Sequence, residues 1–151
     1  YFDYFLYPLD KLGYWNRMFF PNGFLQYQCV IPFKDADDAL NEVLSIASKS
    51  NCLSFLNVIK IFGERKSQGL MSFPIQGVTV ALDFFKINPK LLTLMDQMDD
   101  VVFQAGGKLY PAKDSRMSQK HFDDNFPNFK DFKPFMDPIF SSSYWRRVYS
   151  G

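Results

Sequence analysis

The run Gly106-Gly107-Lys108-Leu109-Tyr110-Pro111-Ala112-Lys113-Asp114-Ser115-Arg116 constrains this chain more than any other stretch. Upstream of it, Leu91, Leu94, Met95, Met98, Val101 and Val102 recur at the spacing of an amphipathic helix. Two successive glycines end that helix and turn the chain. Leu109 and Tyr110 then fit a short strand, and Pro111 restricts the backbone ahead of Lys113. A phenol and a cation thus stand three residues apart at a strand end, an arrangement suited to an anionic or planar ligand.

The segments before and after this run set the fold class. Residues 24–31 are rich in strand formers and stop at Pro32. Asp35 or Asp37 is placed to cap a helix running to about Lys49, with Ala39, Leu40, Val43, Leu44 and Ile46 as its apolar stripe. Residues 54–62 give the next strand, stopped by Gly63, and 64–69 form a polar loop. Residues 70–85 carry one or two strands around a bend at Pro74–Gly77. Asn88 caps the long helix and Pro89 opens it. Ser118 starts a third helix to about Asn125, residues 128–136 a fourth, and Asp137-Pro138 breaks the chain before 144–149. Residues 1–22, interrupted by Pro8, Gly13 and Pro21, read as an irregular segment with one short helical turn. This order predicts an α+β fold, a mostly antiparallel sheet with helices packed on one face.

Side chains two apart on a strand point the same way. Gln26 and Gln28 therefore project together, and Leu25, Tyr27 and Cys29 go to the opposite side. Leu56, Val58 and Lys60 form a second set, Thr79, Ala81 and Asp83 a third, and Tyr110 ends the fourth strand. Sharing one face, these residues place a few polar groups on an apolar floor, which is the composition of a ligand wall. A polar sheet face that meets water has the same pattern, and spacing alone leaves both readings open.

Other classes are excluded or disfavoured. A formal net charge of +1 gives no broad drive toward nucleic acid. The longest apolar stretches fall short of a bilayer span. Cys29 and Cys52, the only cysteines, make neither a disulfide framework nor a metal cluster and read as buried thiols in a reducing compartment. His121 is the only histidine and falls on a helix surface, so no Ser-His-Asp or Cys-His system is expected. No Walker loop or G-x-G-x-x-G turn is present, and Asp96, Asp99 and Asp100 read as a solvated helix face. With 18 Phe and 8 Tyr, some aromatic surface is expected to face something beyond this chain's own core.

Several stretches carry a resemblance. They are Tyr7-Pro8-Leu9-Asp10, Trp15-Asn16-Arg17, residues 23–28 and 55–63, residues 70–75, the glycine-lysine run above, and Asp137-Pro138 with Phe140 and Ser142. In order along nearly the whole chain, they resemble the C-terminal cap, or substrate, domain of FAD-linked oxidases of the decaprenylphosphoryl-β-D-ribose oxidase family, within the vanillyl-alcohol-oxidase-like superfamily. The resemblance implies a cap of residues 1–117 and a helical tail, 118–151, that returns to an N-terminal FAD-binding domain outside this chain. It implies that Lys113 and Tyr110 are catalytic and touch the flavin. Gln26, Gln28, Leu56, Val58, Lys60, Thr79 and Ala81 would line the substrate pocket. The family's cysteine at the Ala81 position and its asparagine at the Thr79 position are replaced here, which leaves flavin chemistry in place and opens the pocket to related sugars or polyols.

The activity so implied is oxidation of a secondary alcohol of a sugar or lipid-linked sugar by hydride transfer to flavin, as the flavin subunit of an epimerase. The implied location is cytoplasmic, peripheral to the inner membrane in the full-length protein. By itself the chain is expected to hold FAD poorly, to be inert, and to self-associate through its open face. Two other readings stand beside this one. The first is the cap of an aldonolactone or polyol oxidase, whose His-Trp-Gly-type tail is missing here. The second is a noncatalytic α+β binding module.

Overall fold

The computed structural model describes residues 2–7, 13–14, 17, 19–21, 23–49, 54–85 and 87–149. Cys52 and, from the resemblance, Pro8, Leu9, Asp10, Trp15 and Asn16 lie outside the described residues. The strands are β1 (Leu25–Ile31), β2 (Ser54–Phe62), β3 (Gly77–Phe84) and β4 (Lys108–Leu109). The helices are α1 (Phe2–Leu6), α2 (Ala36–Ser48), α3 (Pro89–Gln104), α4 (Gln119–Asn125), α5 (Phe129–Phe132) and α6 (Ser143–Val148). The strands form one antiparallel sheet in the order β2-β3-β1-β4. The expected α+β class is what the chain adopts.

Apolar side chains of one parity make the core. Tyr27, Cys29 and Ile31 of β1 and Val80, Leu82 and Phe84 of β3 meet Val43 and Ile46 from α2 and Leu91, Met95, Met98 and Val102 from α3. Each such burial contributes roughly 1.5–3 kcal/mol for a large aliphatic or aromatic side chain. Met117, Phe122, Phe126 and Val148 join the same cluster, so residues on both sides of position 117 share one core. The helices stop short of the sheet edge. Ile59 and Ile61 pair with Val80 and Val78 on the helix side, yet they are 54% and 72% exposed.

Local signals set the element ends. The Asn88 side chain accepts from the Leu91 amide at 2.8 Å, with Pro89 at the first helical position. The far end of α3 is closed by paired bonds, Gly107 N–H to Val102 O at 2.8 Å and Gly106 N–H to Phe103 O at 2.9 Å. Gly106 takes φ +67°, and a Cβ on Gly107 would lie 2.5 Å from the Val30 carbonyl oxygen. Both glycines are required, one for its dihedral and the other for a close approach to β1.

Two expectations are corrected. Asp35 stands at the α2 N-cap, but its side chain makes no capping bond, because a 3-10 turn, Phe33–Asp35, leads directly into the helix. Of the one or two strands expected in residues 70–85, one forms, β3. Pro74 cannot donate to a ladder, and the segment before it instead folds Phe73 against Phe62 and Tyr110. Asp99 is buried, at 3% exposed, rather than solvated. It shares the inward stripe of α3 with Met95, Met98 and Val102.

Candidate functional site

The strand registers turn alternation into cross-strand rows. Gln28 lies opposite Ala81, and Ala81 opposite Val58. The Tyr110 amide donates to the Gln28 carbonyl at 2.8 Å, which extends that row to the residue just past β4. The next row runs Lys60, Thr79, Val30, Lys108. Gln26 lies opposite Asp83, and Leu56 falls in the irregular stretch of β2 between Ser54 and Asn57. Residues of the other parity on β1 and β3 fill the core, so the selected set shares the face turned away from α2 and α3.

Lys113 joins this set from the turn Pro111–Lys113. With Gln26, Gln28 and Tyr110, and with Tyr27, Met95 and Leu109 from the helix-packed side, it lines a cleft of about 10 Å³, roughly the volume of one water. A ligand larger than water must therefore lie against this wall rather than inside it. No ion pair or side-chain hydrogen bond engages Lys113 among the described residues.

The two glutamines are held in defined orientations. Thr79 Oγ donates to the Cys29 carbonyl at 2.7 Å, so it can only accept from Gln28, whose Nε2 lies at 3.1 Å. Gln26 Nε2 donates to Asp83 Oδ1 at 3.0 Å. Each amide spends one of its two N–H groups on that bond, which leaves the other N–H and the carbonyl oxygen for a ligand. Thr79 is 1% exposed, so it meets the surface only through Gln28.

The face is not uniformly open. Phe73, 5% exposed, packs its ring 4.8 Å from that of Tyr110 and 6.1 Å from that of Phe62. Val30 and Thr79 are buried as well. Gln26, Gln28, Val58, Ala81, Tyr110 and Lys113 remain half-buried, and Leu56 and Lys60 are exposed.

Behind the Lys113 turn lies a set of charges that periodicity did not bring out. Arg116 Nη1 reaches Asp96 at 2.7 Å, and both its terminal nitrogens reach Asp99 Oδ2 at 3.0 Å. Arg147 Nη2 meets Asp114 Oδ2 at 2.8 Å. Burial pushes the Asp99 carboxyl up to about 7, against the opposing pull of Arg116. The Tyr27 hydroxyl interacts with Asp99, and burial raises it well above its ordinary range. That contact is loose, because neither the hydroxyl nor Asp99 Oδ1 completes a hydrogen bond of ordinary geometry. The Cys29 thiol, also buried, is pushed up to about 12 and is chemically quiet. His121 is half-buried and stacks 3.9 Å from the Phe103 ring, and burial lowers its pKa.

Among the described residues no cluster of His, Cys, Asp and Glu could hold a metal. No helix among them is long and apolar enough to cross a membrane.

The fold and site thus define a class: an α+β unit with one sheet face packed by helices and the other a polar-studded wall. The comparisons with known proteins narrow it. The chain is similar to decaprenylphosphoryl-beta-D-ribose oxidase of Mycolicibacterium smegmatis, 38% identical over 149 residues that make up 95% of this chain and 32% of that protein. It is also similar to an uncharacterized protein in the mprA 5′ region of Streptomyces coelicolor, 28% identical over 131 residues, 83% of this chain and 35% of that protein. The chain therefore spans about a third of the length of the curated relatives it matches. No protein-family model matches it.

Proposed function

We propose that this chain is the substrate-facing part of a longer FAD-dependent oxidoreductase that oxidises a secondary alcohol of a sugar, with a lipid-linked pentose as the reference substrate. The observation that carries the reading is that Lys113, Tyr110, Gln26 and Gln28 line one cleft, within a chain whose likeness to an oxidase runs nearly end to end. The donor set fits an electron-accepting ring. It offers one cation, one phenol and two amides held across strands on an apolar floor.

FAD, held mainly by a domain outside this chain, supplies the hydride acceptor. Lys113 would supply positive charge to such a ring, which gains negative charge on reduction. Preorganised charge of this kind, in a water-poor site, is the strongest catalytic lever available to a protein. Tyr110, braced by Phe73, sets the orientation of the ring or of the sugar. The Gln26 and Gln28 oxygens accept from sugar hydroxyls, and Thr79 fixes Gln28 while doing so. Lys60, exposed at the rim, suits a phosphate on the substrate. Val58, Ala81 and Leu56 form the apolar floor. The corresponding location is cytoplasmic, at the inner face of a membrane that presents a lipid-linked sugar.

The test is a substrate panel on the full-length protein under anaerobic conditions. Flavin bleaching by a polyprenyl-phosphate pentose, or by a related sugar or polyol, is expected. A protein that holds flavin but is bleached by no sugar or polyol would remove the reading.

A further inference from the structure

Among the described residues no ion pair or side-chain hydrogen bond holds Lys113, so its position must come from its neighbours. Asp114, the next residue, is 8% exposed in its side chain, and one of its oxygens gathers three donors. Oδ2 accepts from the Arg116 amide at 3.0 Å, the Met117 amide at 2.7 Å and Arg147 Nη2 at 2.8 Å. Arg147 also donates through Nε to the Met117 carbonyl at 3.0 Å. Arg116, 14% exposed in its side chain, runs the other way and grips Asp96 and Asp99 on α3. The turn that carries Lys113 is thus tied to α6 on one side and to α3 on the other.

This network is a poor device for stability alone. Buried ion pairs often fail to recover their desolvation cost, and Asp99 shows it, because burial outweighs Arg116 in setting its carboxyl. What such a network does supply is a single defined geometry, at a place where small displacements of a charged group weaken its effect.

We propose that Arg147 and Arg116, anchored on Asp114 and Asp99, are positioning residues that hold the Lys113 ammonium against the ligand wall from behind. On this view α6 and the residues leading to it serve as the brace of the site. The proposal rests on the assignment of Lys113 to the flavin.

The experiment uses the full-length, flavin-loaded protein with its lysines ¹³C-dimethylated, which preserves their charge. The Lys113 resonance is assigned by its loss in Lys113→Arg. In Arg147→Met the resonance is expected to move toward that of a solvent-exposed lysine. Flavin reduction should slow by roughly tenfold, with substrate affinity unchanged within about twofold. Arg147→Lys should restore most of both signals. If Arg147→Met does not fold, Asp99→Asn carries the same expectation through Arg116. A Lys113 resonance unmoved in a folded Arg147→Met or Asp99→Asn protein overturns the proposal. Failure of the oxidase reading is a separate result, seen as unchanged flavin reduction in Lys113→Ala whatever the resonance does.

Discussion

Ala81 and Leu82 are neighbours on β3, and they serve opposite faces of one sheet. Leu82 is 1% exposed and packs among apolar side chains from both main helices. Ala81 lies in a row with Gln28 and Val58, on the side the helices do not reach. The helix-covered face needs only apolar volume in the right places, and many side-chain sets could supply it. The other face is built differently. Its polar groups are tied in pairs across strands, Gln26 to Asp83 and Gln28 to Thr79. A sheet face meant only for water has no need of amides pinned to partners across strands.

The comparison can be broken or sharpened by variants, beginning with the largest effects. Leu82→Ala should cost about 3 kcal/mol in denaturant unfolding, the range for a fully buried leucine. Ala81→Ser, one residue away, should stay within about 0.5 kcal/mol. Equal losses at the two positions would erase the distinction between the faces. Gly107→Ala attacks the hinge that sets β4 beside β1. Its new methyl would sit 2.5 Å from the Val30 oxygen and 2.8 Å from Val102 Cγ1. A loss on the order of 2–3 kcal/mol is expected, read as a lowered denaturation midpoint.

Gln28→Leu should be milder for stability, about 1 kcal/mol, because Thr79 keeps its bond to Cys29 and loses only one donor. Its substrate affinity should fall by more than its stability does, and a calorimetric titration of the full-length variant checks this.

The smallest effect is a pH dependence. Asp99 faces Tyr27 and Cys29 from β1, Asp96 on its own helix, and Asp114 and Arg116 from the loop. Its carboxyl lies at about 7 in the folded chain against an ordinary 3.8. Folding therefore takes up a proton between those values. This contribution to stability is complete below about 4 and disappears as the pH rises through about 7. Asp99→Asn should flatten that slope, and parallel unfolding curves at pH 5 and pH 8 for both proteins would show it.

Much of this was legible along the chain because the signals were local. Asn88 with Pro89 and the glycine pair mark the two ends of α3 within a residue or two. Strand alternation sorted Gln26 and Gln28 from Tyr27 and Cys29, and the register agrees. What could not be read depends on distant partners. Asp99 meets Arg116 across 17 residues, and Asp114 meets Arg147 across 33. Nothing in the spacing of either residue announces such a pair. One clue was present, since Asp99 sits in the stripe of Met95, Met98 and Val102 and a carboxylate there needs a partner. The pattern over residues 70–85 left one or two strands open, and the place of Phe73 was decided by Tyr110 and Phe62 from elsewhere in the fold. The polar wall was visible as a pattern. Its orientation required knowing that the Thr79 proton is already spent on a backbone carbonyl.

The central claim is that the face bearing Lys113 meets the flavin. Its most direct test is anaerobic stopped-flow reduction of the full-length protein, comparing Lys113→Ala with Lys90→Ala, an exposed control on α3. The account predicts flavin bleaching slowed by about a hundredfold in the first and unchanged in the second. Wild-type bleaching in Lys113→Ala, or an equal loss in both variants, would contradict it.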